Sequence, residues 1–504
     1  MNQGKQIVKL ILAALVAGFG VSVFGYGVAM GLVLAIALIP YALRSSFNAF
    51  QLVIATLPLE AAFVLEIGFT VRMAYLFLIL TLFVMTATKS LSLPSTPLDM
   101  PLVAYLSVAA FSVVQTIFFP PDEVGLLSSQ ALRGMSGRGM VQLFILGLML
   151  LTFYLTVLFN RQPQSWRRSF GIYLTAATVA AIYGIYQIPA IYLDLPFRDI
   201  NNALLTRATG KGEILAFWQT SRVWIYRARS TFQEPLNLAN FLLSVLPVVL
   251  ALYLGAGRGK ERVRLAAIAG VMFLALFFTF ARGGWLSFLV AFAILLVGAP
   301  QRKKVGLMTL LLLGIGATGM TIFGLLTSQG SSLGIAQLVL NRFDITPSDM
   351  ARLTYVTTMF DLFKEHLLLG VGWGNLPLHL ANRLGLPVLV SAHGVWWQAL
   401  GESGIIGFVV LGWVVGAWYL TMLRTLSKVR GTGWYYYILG FIASLTGMLV
   451  QYFSFGDRLS MYVWFVMGMA IAIAKMTETG KIAGAETAGS NQAVTGGLSD
   501  AQGL

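Results

Sequence analysis

The chain has 504 residues, of which 58% are hydrophobic and 11% charged, whereas about a quarter of a soluble chain is charged. Its formal net charge is +15, and it contains three histidines and no cysteine. This excludes disulfide and thiolate chemistry, disfavours a multi-histidine metal site and rules out an ordinary soluble domain.

Apolar runs that reach the ~20 residues needed to cross a bilayer recur along the chain. They are too long and too uniformly apolar for barrel strands, and a helix satisfies every amide within its own segment. The expected fold is therefore an all-α integral membrane protein. Candidate spans in chain order are 7–24, 26–43, 48–68, 73–88, 99–118, 139–160, 169–190, 236–254, 265–281, 283–299, 305–326, 403–423, 434–453 and 461–475, about 12 to 14 in all. Lys5 and Lys9 precede the first run, and a second run follows with no small-residue cleavage site between them. The first run reads as a span, not a removed signal. Pro58, Glu60 and Glu66 interrupt 48–68, so that segment is expected to be broken or partly re-entrant.

Basic clusters fall between spans: "RQPQSWRR" (161–168), "GRGKERVR" (257–264), "QRKK" (301–304) and "RTLSKVR" (424–430). The excess of Lys and Arg assigns these turns to the cytoplasm. Alternation then puts both termini inside and two long connections, 191–235 and 327–402, outside. Residues 1–475 form one transmembrane domain, and the polar tail 476–504 reads as a disordered cytoplasmic extension. Connections longer than ~15 residues are usually functional or disordered, and these two are too aromatic for disorder. Function is expected on the outer face.

The first connection carries Arg207, Lys211, Arg222, Arg227 and Arg229 against Glu213, an excess that opposes the positive-inside trend. An anionic ligand accounts for it; contact with lipid headgroups is the plainer alternative. In "RARSTFQEPLNLANF" (227–241), Glu234 directly precedes Pro235, which suits the first turn of a helix. Such a helix start presents free N–H groups, and Arg227 and Arg229 nearby suit a phosphate or pyrophosphate. In "FTFARGGWLSFL" (277–288), Arg282 stands in a turn between two spans, where it either faces a cavity or snorkels to headgroups.

The second connection contains a helix expected over 348–369. Leu353, Val356, Phe360, Phe363 and Leu367 recur at spacings of three and four as one apolar stripe, with Asp361, Lys364 and Glu365 off it. Such a helix lies on the membrane surface or caps a cavity. "GVGWGN" (370–375) has the glycines of a nucleotide loop but follows no strand; Gly370 reads as a helix stop and the rest as turn. Next comes "SAHGVWWQALGESGIIG" (391–407). His393 has the side chain suited to general-base work near neutral pH. Trp396 and Trp397 share its helical face, as an interfacial aromatic belt or a sugar platform. Glu402 lies about half a turn out of phase and reads as a supporting or packing partner. Gly401, Gly404 and Gly407 form a small-residue stripe that permits close approach. His366 and His379 are weaker candidates.

In this order, the Arg-rich "R…STF.EP…LA", the "ARGGWL" turn, the Arg352-led helix into "LLLGVGWGN" and the "H…W…GESGIIG" entry to a span resemble the O-antigen ligase and O-antigen polymerase superfamily, over roughly residues 225–420. The resemblance implies a GT-C-type glycosyltransferase of the bacterial inner membrane, working on its periplasmic face. It implies an undecaprenyl-diphosphate-linked glycan as donor and an acceptor hydroxyl on lipid A–core in ligases, on another repeat unit in polymerases, or on a protein serine. It implies inverting chemistry without metal or cofactor. It implies His393 as base, Arg227 or Arg229 with Arg282 on the diphosphate, Arg352 ordering a lid helix or touching phosphate, Glu234 and Glu402 in support, and Trp396 or Trp397 stacked on sugar. Expected partners are the lipid-linked glycan, the acceptor glycan or lipid A–core, and membrane lipid, but no nucleic acid. The family's histidine is usually followed by Asn or Ser; Gly394 departs from that pattern. A lipid-linked glycan transporter is the main rival. It predicts broken mid-membrane helices and two similar halves, neither of which is clear in the sequence.

Overall fold

The computed structural model describes residues 38–61, 65–66, 70–88, 93–118, 134–200, 217–219, 224–257, 259–300, 302–326, 347–386, 389–456 and 460–482. The candidate span 7–24, most of 26–43, the residues Arg207, Lys211, Glu213 and Arg222, and the tail beyond 482 lie outside these.

The first half comprises α1 (Ser46–Thr56), β1 (Leu65–Glu66), β2 (Thr70–Val71), α2 (Met73–Ala87), α3 (Asp99–Phe118), α4 (Gly134–Phe159), α5 (Pro163–Tyr192), β3 (Phe217–Gln219) and β4 (Trp224–Tyr226). The second comprises α6 (Pro235–Leu243), α7 (Leu246–Gly255), α8 (Lys260–Phe278), α9 (Arg282–Gly298), α10 (Arg302–Leu326), α11 (Pro347–Glu365), α12 (Leu376–Arg383), α13 (Val395–Lys428), α14 (Trp434–Gln451) and α15 (Met461–Glu478). The strands form two short antiparallel ribbons, β1–β2 and β3–β4. Everything else of regular structure among the described residues is helical, and seven helical segments, one of them α6 and α7 together, are long and apolar enough to cross a membrane. The all-α integral membrane fold is as expected.

The segment α6–α7 forms the centre of the bundle: 89% of its residues are buried, against 17% for the apolar stretch of α10 at the periphery. α7 and α9 both pack on α14, α15 on α4, α13 on α3, and α8 on α5. The expected span 236–254 is two helices with a break at Ser244–Val245. Pro247, in the first turn of α7, supplies no amide donor, and its ring excludes the Leu243 carbonyl four residues back. The interrupted segment 48–68 behaves as its sequence suggests. α1, capped by Ser45 Oγ accepting from the Asn48 amide at 3.1 Å, stops at Thr56 before Pro58. Glu60 then turns inward to Arg72 at 3.0 Å.

The short turns at 160–162, 256–257 and 429–433 gather at one end of the bundle, beside the basic clusters, and Lys481 Nζ donates to the Arg161 carbonyl there at 3.0 Å. α15 continues to Glu478, past the expected boundary at 475. The opposite end holds the starts of α6, α9 and α13 and the end of α14. There α13 begins at Val395, within the connection expected to run to 402, and is kinked at Gly404 (φ 61°, ψ −162°), so that the expected span start at 403 coincides with the kink.

Candidate active site

α11 begins where expected but ends at Glu365, short of the expected 369, and its buried face only partly follows the apolar stripe. Leu353 and Leu367 are more than half exposed, whereas Met359 and Leu362 are buried against Val371, Leu376 and Ala392. Phe360 and Phe363 of the expected stripe do pack, partly buried, against the same cluster, so the inward face is shifted from the stripe toward 352, 355, 359 and 362 by less than the ~100° of helix rotation of one residue. The rotation turns Arg352 and Tyr355 toward the stretch that opens α13.

His393 sits there with φ +49°, in the left-handed region that non-glycine residues rarely occupy. Neighbouring bonds hold it. Its amide donates to Ser391 Oγ at 3.2 Å, and the Val395 amide donates to the carbonyls of Tyr452 (2.9 Å) and Phe455 (3.1 Å) beyond α14. The ring faces Tyr355, with centroids 6.2 Å apart and nearly parallel planes. Burial, and then the Arg352 guanidinium, lower its pKa to about 4, so the imidazole is neutral near pH 7.

Gly394 has a steric explanation. A Cβ there would lie 2.4 Å from the Trp397 ring and 3.0 Å from the Phe453 carbonyl oxygen. Trp397 Nε1 donates to that same carbonyl at 3.0 Å, and Trp396 Nε1 donates to the Leu449 carbonyl at 3.0 Å. The two indoles latch the start of α13 onto the end of α14, and Trp397 also packs on Phe360 of α11.

Arg282 opens α9 and pairs with Asp349 on the first turn of α11. Asp349, Arg352 and Tyr355 follow at intervals of three, so one helix face links the Arg282 pair to the His393 ring. The end of α14 abuts the same turn: a Cβ at Gly283 would lie 2.5 Å from Ser454 Oγ. The turn after α8, the start of α11, the start of α13 and the end of α14 thus converge. Arg352 Nε is buried and has no hydrogen-bond partner among the described residues.

The other expected residues lie around this centre. Arg227 is half-buried and donates from Nε to the Thr279 carbonyl at 2.9 Å, which ties its loop to the Arg282 turn. Arg229 is 1% exposed and ion-paired with Asp199 at 2.6 Å, and Gln187 Oε1 accepts from the Arg229 and Ser230 amides. It holds its loop to α5 from inside the fold. Glu234 is exposed and precedes α6, with its carbonyl accepting from the Asn237 amide at 3.1 Å. The start of α6 is itself buried, and the nearby anion is Glu60, which accepts from Asn237 Nδ2 at 3.0 Å. A protein carboxylate thus occupies the neighbourhood expected for a ligand phosphate.

Glu402 is buried, and its Oε2 accepts from the Gly374 amide at 2.7 Å. Its carbonyl accepts from the Gly372 amide at 3.0 Å, and the Gly401 carbonyl accepts from Val371 at 2.9 Å. The "GVGWGN" turn is therefore an internal structural turn laid against the kink of α13. Gly401 and Gly404 do permit close approach, to Leu376 and to the Leu368 backbone respectively. His366 is exposed; His379 lies in α12 with its pKa lowered to about 4 by burial and by His366. Sequence reasoning missed Asp349, Tyr355 and Asp199. The i, i+3, i+6 spacing of Asp349, Arg352 and Tyr355 was the available signal for the first two.

Residues 267–412 match the family model Wzy_C, described as O-antigen ligase. Over that segment the chain is similar to the O-antigen ligase family. The match supports the O-antigen ligase/polymerase superfamily, and no curated protein matches the chain. The matched segment runs from within α8 to within α13. It contains Arg282, Asp349, Arg352, Tyr355, His393 and Glu402, and it begins after the loop with Arg227, Arg229 and Glu234.

Proposed function

We propose that the chain is a membrane glycosyltransferase of the O-antigen ligase type. It moves a glycan from a polyprenyl diphosphate to a hydroxyl of lipid A–core, at the end of the bundle remote from the basic clusters. That end faces the periplasm under the positive-inside rule. The observation that carries the reading is the convergence, inside the family-matched segment, of a buried neutral histidine with Arg352 and the Arg282–Asp349 pair on one face of α11.

His393 takes the proton of the acceptor hydroxyl as its oxygen bonds to the anomeric carbon. The bond from that carbon to the diphosphate oxygen breaks, and the electron pair leaves with the diphosphate. One displacement of this kind inverts the anomeric centre. Arg352 and Arg282 stabilise the leaving charge, with Arg282 exchanging Asp349 for phosphate. The bound diphosphate offsets the Arg352 field, so His393 becomes a stronger base once the donor is in place. Arg229 acts from within, by fixing the loop that presents Arg227. Neither the reaction nor this division of roles requires a bound cofactor.

The test is transfer in vitro with a polyprenyl-diphosphate glycan and a lipid A–core acceptor. His393→Ala is expected to lower the rate by at least about 100-fold. Wild-type rates from a folded His393→Ala protein would falsify the mechanism. Glycan profiles of a deletion strain separate the branches: lipid-linked long chains accumulate if a ligase is lost, whereas a polymerase would show loss of elongation.

A further inference from the structure

We propose a second binding site, for the headgroup of an anionic phospholipid, in a cavity at the basic end of the bundle. The cavity has a volume of about 580 Å³ and lies between α5, α7, α8, α9 and α14. α9 and α14 each run from the His393 end to this cavity, through Arg282 to Gly298 and Gln451 to Trp434. Seventeen helical residues place the two sites on the order of 25 Å apart. The proposal draws on the orientation given above only for the choice of leaflet; its chemistry does not involve His393.

The lining combines charge with aromatic and apolar surface. Arg167 and Arg430 reach it from α5 and from the α13–α14 turn, and among the described residues neither makes an ion pair. The Arg167 guanidinium lies 5.8 Å from the Trp434 ring centroid, which holds it at the wall. Tyr435 fixes another wall by donating to the Gly298 carbonyl at 2.8 Å. Glu261 is the one carboxylate among the lining residues, and burial pushes its pKa up, against Arg264. Lys304 Nζ donates to the Leu254 and Ala256 carbonyls, at 3.1 and 2.7 Å, and so offsets the negative end of α7 that would repel an anion.

Two features favour a lipid phosphate over a free one. A lone phosphate would fill little of this space, which is the size of a small-molecule pocket. The lining also continues onto the outer apolar flank of α9, where Val297 is 89% exposed and acyl chains have a surface to follow.

Binding is tested on the full chain in detergent, by native mass spectrometry with phosphatidylglycerol, phosphatidylcholine and inorganic phosphate as probes. Phosphatidylglycerol is expected to bind at least tenfold tighter than phosphatidylcholine. Arg167→Gln combined with Arg430→Gln is expected to weaken it roughly 25-fold, about fivefold per arginine. A second variant does not touch charge. A Cβ at Gly171, on the cavity wall in α5, meets nothing within 4 Å. Gly171→Leu should therefore fill the cavity and weaken the lipid at least tenfold without lowering the melting temperature. Wild-type lipid affinity in either variant, or saturation by inorganic phosphate at the affinity of phosphatidylglycerol, would overturn the site. Glycan transfer measured on the same samples reports separately on the His393 reading.

Discussion

In the proposed mechanism His393 must be neutral to act as base, and its burial secures neutrality at the expense of basicity. Because kcat/KM reports the free enzyme, its acid limb is expected near pH 4, well below the ~6.5 of an ordinary histidine. Arg352→Gln should move that limb upward, but burial, the larger cause, keeps it short of 6.5. A wild-type limb at 6.5 in a pH–rate profile would sink this account of the site. The same shift bears on stability. Between pH 6.5 and about 4 the unfolded chain binds protons at His393 and His379 that the folded chain refuses. Stability therefore falls as pH drops through that window, and these groups leave it unchanged above the window. Gly394 presents the steric side of the same site. Gly394→Ser inserts a Cβ 2.4 Å from the Trp397 ring, so the indole must leave its bond to the Phe453 carbonyl. The expected cost is about 1–3 kcal/mol, seen as a lower melting temperature.

At the scale of elements, the kink in α13 determines where the site sits. Gly404 has φ +61° and ψ −162°, a conformation essentially reserved for glycine, and a Cβ would lie 2.3 Å from the Leu368 carbonyl oxygen. The freed amides of Ile405 and Ile406 donate to the Leu367 and Leu368 carbonyls, at 2.9 and 3.4 Å, so the 366–371 turn satisfies the broken backbone. Gly404→Ala sets backbone against backbone and is expected to lose about 3 kcal/mol or more. Gly412→Ala, in the same helix with nothing within 4 Å of a Cβ, should gain about 0.5–1 kcal/mol. Thermal unfolding of the two variants in detergent is the comparison; equal melting temperatures would contradict the role assigned to the kink. α11 shows how far an apolar pattern reaches. Its apolar residues define one stripe, of which Phe360 and Phe363 pack inward, but the buried face is shifted toward Arg352 and Tyr355 and leaves Leu353 and Leu367 exposed. Arg282 and His393, far away in the sequence, engage that face.

For the whole molecule, the Arg229–Asp199 pair ties the connection between α5 and α6 to the bundle. Both side chains are at most 5% exposed. Asp199→Asn leaves a buried guanidinium without its carboxylate, and a loss of about 3–5 kcal/mol is expected in thermal unfolding. If Arg229 served chiefly as a ligand for donor phosphate, Asp199→Asn would instead leave stability near wild type.

Membrane residence, the helical class and the ends of most spans were legible in the sequence because they depend on local quantities: apolar run length, proline position and the placement of Lys and Arg in short turns. His393 and Arg282 stand out in the sequence, since a rare polar group at a span edge contrasts with an apolar background, and the structure brings both against α11. The sequence did not show which arginines meet the site. Arg229 and Arg282 stand in similar local surroundings, yet one lies inside the fold on Asp199 and the other at the turn on Asp349. Those carboxylates are 30 and 67 residues away along the chain. Hydropathy is a property of a segment and so can be read from it; a buried charge is defined by its partner, and only the packing of α5, α9 and α11 brings these partners together.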